Sequence, residues 1–477
     1  MGPLPKSRLV VSGLWTIVAA VSLLTSCETT LTDALPSPQQ PEASAARVIV
    51  RDARNPLFIP ATITNSSFGL TAAPGTATIG SGTTTSVWQY NGSFPGPTIV
   101  AKTGDNILAT FQNKLPEPTI IHWHGMLVDP ANDGQPHQVI RTGETYNYNF
   151  PVINRAALNW YHPHPHMTIG KQVYNGLAGA FIIRDAEEAA LNLPTGKYEV
   201  PLVIRDISLD KSGNPVYSPT GGGYFGKTPL VNGTKDPYLD VDKTVYRFRV
   251  LIGSTSRVFK LKLSTTNLPT NKEIPFTLIG NDGGLLPSSS NQTQIEVCPG
   301  ERLDVLVDFG SLDPSTKVML QDVNAGWNLL EFRVTNTSAS YSGALTVTSS
   351  IPTLSAPVAK RFFSFDGMSK INGKLYDMHR IDFMVPFGQT ELWTFKTNGN
   401  GPHPVHIHGA SFQVISRTGG RGRVFPWERG WKDVVLVNDF ETVDVLIRFD
   451  AYKGVYVMHC HKLEHEDNGM MMNFEVK

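Results

Sequence analysis

The sequence predicts an all-β protein of three β-sandwich domains, and three observations carry that prediction. From Arg47 onward, short runs rich in Val, Ile, Thr, Phe and Tyr are broken by Gly, Pro, Asn and Asp at the spacing of sandwich strands. Glycine (42) and proline (34) are abundant, while charged residues make up only 17% of the chain, which suits turns and strands better than solvated helices. No long amphipathic helical pattern follows the N-terminal segment. Runs at 98–101, 107–111, 180–184, 245–251, 303–309 and 443–449 are read as strands. At 477 residues the chain is too long for one core, and Pro, Gly and Ser accumulate near 186–198 and 349–358. The expected domains are therefore 46–187, 188–350 and 351–477.

The N-terminus reads differently. Lys6 and Arg8 precede an apolar run, residues 9–24, that is interrupted by Ser12, Gly13, Thr16 and Ser22 and is shorter than a membrane span needs. Residues 1–27 are expected to form an export signal. Its end, Leu24-Thr25-Ser26-Cys27, resembles the bacterial lipobox, which would leave Cys27 lipidated and the protein tethered in the periplasm or cell envelope. Residues 28–45, rich in Thr, Ser, Pro, Gln and Ala, read as a flexible tether. Membrane contact is expected only through that anchor. Lys and Arg (41) balance Asp and Glu (41), which removes the long-range field that nucleic-acid binding relies on. The three cysteines stand in unlike contexts and do not suggest a disulfide framework; Cys298 reads as a small buried hydrophobe.

Eleven of the thirteen histidines fall in four clusters: His122 and His124; His162, His164 and His166; His403, His406 and His408; and His459, His461 and His465 around Cys460. Residues i and i+2 of a strand share a face, so each His-x-His pair can offer two imidazoles to one site. Cys460, at odd spacing from His459 and His461, must point away from them, so one tripeptide feeds two metal sites. His403, at odd spacing from His406, falls on the cysteine's side, and His465 or Met470 could complete that set. A thiolate with two imidazoles and a weak thioether suits blue copper, while Cys and His alone also suit zinc.

These motifs, with Tyr90-Asn-Gly-Ser-Phe-Pro-Gly-Pro-Thr-Ile, Gly176-Leu-Ala-Gly, Pro299-Gly-Glu-Arg and the ending from His459 to Met471, resemble the three-domain multicopper oxidases: laccases, bilirubin oxidases and bacterial copper-efflux oxidases. The segment from Val414 through Lys432-Asp-Val-Val is similar to bilirubin oxidase, and His162-Pro-His-Pro-His166 is nearer the copper-efflux enzymes. The resemblance implies three Greek-key, cupredoxin-like sandwiches and four copper ions. It assigns His403, Cys460, His465 and Met470 to a type 1 copper, and His122 and His406 to a type 2 copper. His124, His162, His164, His408, His459 and His461 would hold the type 3 pair, which leaves His137, His166 and His379 without a ligand role.

The implied reaction passes electrons from a donor through Cys460 to His459 and His461, and reduces dioxygen to water where the first and third domains meet. The middle domain then reads as scaffold. Asp133 and Glu466 stand where the efflux enzymes place proton-relay acids, and Trp160 either shields the cluster or fills core. The approach to His403, Asn398-Gly-Asn-Gly-Pro402, contains no Met, and its small residues predict an open type 1 edge for phenols, aromatic amines or bilirubin-like pigments. The competing expectations are a cuprous or ferrous oxidase for metal tolerance and, more remotely, a non-catalytic copper-binding or scaffold protein. A monomer is expected.

Overall fold

Strand pairing lays down six sheets among the residues described by the computed structural model, 54–267 and 270–477. The expected signal, Cys27 and the tether lie outside the described residues. Four of the six strand runs read from sequence lie wholly within observed strands, Gly96–Lys102, Asn106–Asn113, Gly179–Arg184 and Val245–Ile252. The two others overrun their strands, Arg302–Asp308 and Glu441–Arg448, by one residue each, at Phe309 and Phe449.

The sheets come in pairs along the chain. In the first pair, one sheet runs in the order Thr62–Ile63, Gly96–Lys102, Gly179–Arg184, Ala157–Pro163, Ile121–His124, and faces a sheet of Thr83–Tyr90, Ser67–Gly80, Asn106–Asn113 and Thr145–Pro151. Their buried faces share a core that includes Leu70, Phe111, Trp123, Tyr148 and Phe181. A second core, around Phe248, Leu261, Val305 and Phe332, fills the middle pair, and a third, around Trp393, Phe395, Val445 and Phe474, fills the last. Alternation is cleanest in Glu441–Arg448, where every second residue is buried, as a half-buried strand requires.

Asn55–Pro56 runs parallel to Pro237–Tyr238 and extends the edge of the middle pair, held by Asn55 N–H to the Asp236 carbonyl at 3.0 Å and Leu57 N–H to the Tyr238 carbonyl at 2.8 Å. Thr62–Ile63 is the first described strand of the first pair of sheets. Cys298 is fully buried against Val434 and Leu436, and both described cysteines, Cys298 and Cys460, are free thiols. No helix among the described residues is long and apolar enough to cross a membrane.

Candidate metal centres

Strand Gly454–Cys460 lies between His403–Ile407 and Met471–Val476, and its register sets Cys460 opposite Val405 and His459 opposite His406. The alternation of the strand then acts as read from sequence. The Cys460 sulfur lies 3.4 Å from His403 Nδ1 and 3.7 Å from His465 Nδ1, and those two nitrogens are 3.3 Å apart. His459 and His461 turn the other way. Chain reversal after Cys460 through the short helix Leu463–Asp467 returns His465 to the sulfur. Met470 is buried in the same core as Cys460, its carbonyl accepting the Cys460 N–H at 3.1 Å.

Electrostatics shows what this pocket lacks. Burial, with the Lys462 ammonium as a lesser cause, holds His403 down at about 3 and His465 at about 2, and burial pushes the Cys460 thiol up to about 12. Left to itself the trio is a neutral thiol and two neutral rings whose Nδ1 atoms converge on the sulfur. That donor set suits a soft cation that displaces the thiol proton.

On the other face, eight histidines from the first and last sandwiches converge, all buried. Their hydrogen bonds fix which nitrogen faces inward. His122 Nδ1 donates to the Asp133 carbonyl and His406 Nδ1 to the Asp433 carbonyl, both at 2.7 Å. A carbonyl can only accept, so both Nε2 atoms carry lone pairs, and they face each other at 3.4 Å. The pattern recurs where the Nε2 of His459, whose Nδ1 bonds the Cys460 carbonyl, meets those of His408 at 3.2 Å and His164 at 3.4 Å. His124 Nδ1, His162 Nε2 and both nitrogens of His461 are buried without a partner. Burial lowers the basicity of six of the eight, His124, His162, His164, His406, His408 and His461, so protonation of these six does not relieve the facing lone pairs. Cations bound among them would. The residues thus fit copper on their own geometry, with close three-donor sets at His122/His406/His408, His164/His408/His459 and His122/His124/His162.

The two carboxylates singled out from sequence sit against this cluster. Asp133 Oδ2 accepts from His408 Nδ1 at 2.8 Å and from Gln135 at 2.5 Å. Glu466, fully buried, lies 3.1 Å from both His164 Nε2 and His459 Nδ1 without good hydrogen-bond geometry to either. Trp160 stacks on the His162 ring at 4.1 Å, walling the cluster from the core. His166 stays outside, its ring edge-on to Tyr376, and His137 and His379 are exposed.

The expected open edge is absent. His403 and His465 are both 0% exposed, and Lys462, whose ammonium acts on both rings, is capped by a loop of the middle sandwich, Gly221-Gly222-Gly223. Lys462 Nζ donates to the Gly222 carbonyl at 3.4 Å, and a Cβ on Gly221 would stand 3.1 Å from the Met368 sulfur. Sequence reading also passed over Asp433 and Arg302, although both lie in motifs it quoted; nothing in a single chain says which neighbours such residues touch.

Residues 71–188 and 348–477 match two family models, each described as multicopper oxidase. The chain is 34% identical over 396 residues to the multicopper oxidase mco of Staphylococcus haemolyticus, covering 81% of this chain and 83% of that one. It is 30% identical over 472 residues to a laccase of Bacillus subtilis, covering 82% and 90%. Among solved structures, the McoA multicopper oxidase of Aquifex aeolicus superposes with a TM-score of 0.82 at 34% identity, over 89% of this chain and 99% of that one. A Campylobacter jejuni multicopper oxidase described as a metallo-oxidase superposes at 0.77 with 28% identity, over 89% and 96%.

Proposed function

The chain belongs to the multicopper oxidases, and from that premise we propose that it is a laccase-like member, taking single electrons from phenolic or aromatic-amine donors and reducing dioxygen to water. One observation carries the reading: the Cys460 sulfur joins His403 and His465 while the flanking His459 and His461 enter the eight-histidine cluster. His403, Cys460, His465 and Met470 would hold the type 1 copper, His122 and His406 the type 2, and His124, His162, His164, His408, His459 and His461 the type 3 pair. Bound there, copper would supply one-electron acceptance beside the thiolate and four-electron storage where dioxygen is reduced.

The chain's own groups do the rest. The backbone from Cys460 to either neighbouring histidine is one residue long, so the electron path is covalent and needs no carrier. Two waters form from dioxygen, four electrons and four protons, and Asp133 Oδ2 and the Glu466 carboxylate are the acids placed to deliver protons at the cluster. Trp160 excludes water from the His162 side. His403 and His465 are buried, so donors would pass electrons to them through intervening protein, without touching an imidazole.

Met368 favours a second reading. Its sulfur borders the Gly221–Gly223 loop, and the exposed Met167 lines a nearby cleft with Tyr217, Glu464 and Asp467, soft and acidic groups suited to a cuprous ion. Copper-loaded protein assayed with a diphenol and with Cu(I) or Fe(II) separates the two; negligible diphenol turnover without added metal ion defeats the laccase reading. Cys460→Ser is expected to lose the blue band and turnover while retaining the cluster's copper, and a fully active variant would overturn the assignment. We also propose export and lipidation at Cys27, resting on the lipobox-like end of the signal. Labelling with a fatty acid should be abolished by Cys27→Ala.

A further inference from the structure

The middle sandwich supplies none of the eight imidazoles, yet one of its turns touches them. Gly300, with φ +84°, leaves no room for a side chain: a Cβ would stand 3.2 Å from the His124 ring and 3.2 Å from that of His461. Two residues on, Arg302 is fully buried and satisfies all five of its side-chain donors. Nε donates to the Leu158 carbonyl at 2.9 Å; Nη1 to the Gly300 carbonyl at 2.9 Å and Asp433 Oδ1 at 2.6 Å; Nη2 to Asp433 Oδ2 at 2.5 Å and the Asp282 carbonyl at 3.2 Å. Asp433 passes this order on. Its Oδ1 lies 3.1 Å from His124 Nε2, and its carbonyl accepts from His406 Nδ1.

We propose that Arg302 is a positioning residue for the oxygen-reducing site: through Asp433 it holds His124 as the Nε2–H tautomer and aims His124 Nδ1 at the metal. The proposal rests on the oxidase reading of the eight histidines. His124 is set apart from His122, His162, His406 and His459, whose Nδ1 atoms each donate to a backbone carbonyl and leave Nε2 as the inward donor. For His124 the bond runs from the opposite nitrogen, so a carboxylate must stand where the others have backbone. That carboxylate has to be held by both oxygens, or it would rotate off Nε2. A guanidinium fork does this and an ammonium does not. Gly125 keeps the path clear, since a Cβ there would stand 2.6 Å from Arg302 Nη2 and 2.9 Å from Asp433 Oδ2.

The test uses the full chain with two variants, Arg302→Lys and Asp433→Asn, and three readouts. Long-range ¹H–¹⁵N spectra of histidine-labelled, metal-free protein report the His124 tautomer. Competition with a chelator reports copper affinity at the cluster, and the blue band reports the Cys460 site. Wild type is expected to show Nε2–H at His124. Both variants should show a mixture, with cluster affinity lowered about 10- to 100-fold and the blue band unchanged. Asp433→Asn keeps the side-chain volume and decides the matter if Arg302→Lys does not fold. Variants that melt earlier but keep the tautomer and the affinity show a mere clamp between sandwiches and overturn the proposal. A wild-type chain that binds no copper at the eight histidines overturns the oxidase reading itself, a distinguishable result.

Discussion

Asp133 makes two contacts that belong to different jobs. Its carbonyl fixes the His122 tautomer, which any residue could do, whereas its carboxylate bonds His408 and can carry a proton. Asp133→Asn should therefore keep the copper complement and lower turnover about 100-fold, and Glu466→Gln should behave alike. Steady-state rates combined with solvent isotope effects check this; copper loss in either variant would make the residue structural. Gly300→Ala is a sharper case. It demands a left-handed backbone from alanine and a Cβ 3.2 Å from two cluster rings, so copper at the cluster should fall while the blue band persists. Metal analysis beside absorption spectra reads both.

At the scale of elements, the strands behave as their patterns require, including the one that looks wrong. Ser67–Gly80 contains Pro74, which a strand with neighbours on both sides would not accept. Its parallel partner Asn106–Asn113 pairs only as far as Ala72, so Pro74 falls where the strand has a single neighbour, Thr83–Tyr90. A largely buried ion cluster joins Arg184, at the end of a strand of the first sandwich, to Arg247 and Arg249 of the middle one, with Glu188, Glu199 and Asp304. Burial pushes the Glu199 carboxyl up, but Arg249, then Arg184 and Arg247, outweigh it and leave it at about 2. A carboxyl depressed in the folded state contributes stability that is present above its unfolded value and lost as pH falls toward the folded one. From an ordinary value of 4.5 to about 2, the loss is about 3 kcal/mol. Urea midpoints should drop between pH 5 and pH 2.5, and Glu199→Gln should flatten that drop.

Across the whole molecule, the facing lone pairs of His122 and His406 join residues 284 positions apart. A cation held by residues of both sandwiches would bind the folded state and not the separated sandwiches, so copper at a thousand times its dissociation constant should add about 4 kcal/mol. Calorimetry before and after chelation checks this: the melting temperature should fall on copper removal, and by less in His406→Ala. Much of this arrangement was legible beforehand. Period two within His-x-His and His-Cys-His sorts donors between two faces whatever the rest of the chain does, and strand runs with turn residues between them indicate sandwiches. Other features were not legible. Asp433 and Arg302 matter because of a contact across 131 residues, and the loop that caps Lys462 beside the buried His403 is made of glycines whose sequence shows only a turn. By itself the sequence determined which side chains can share a metal, because a strand's alternation is a local property of the backbone. Only the tertiary structure decided how each imidazole is oriented and how the thiolate site is closed, because hydrogen-bond partners and steric cover are set by segments that meet only when the sandwiches pack.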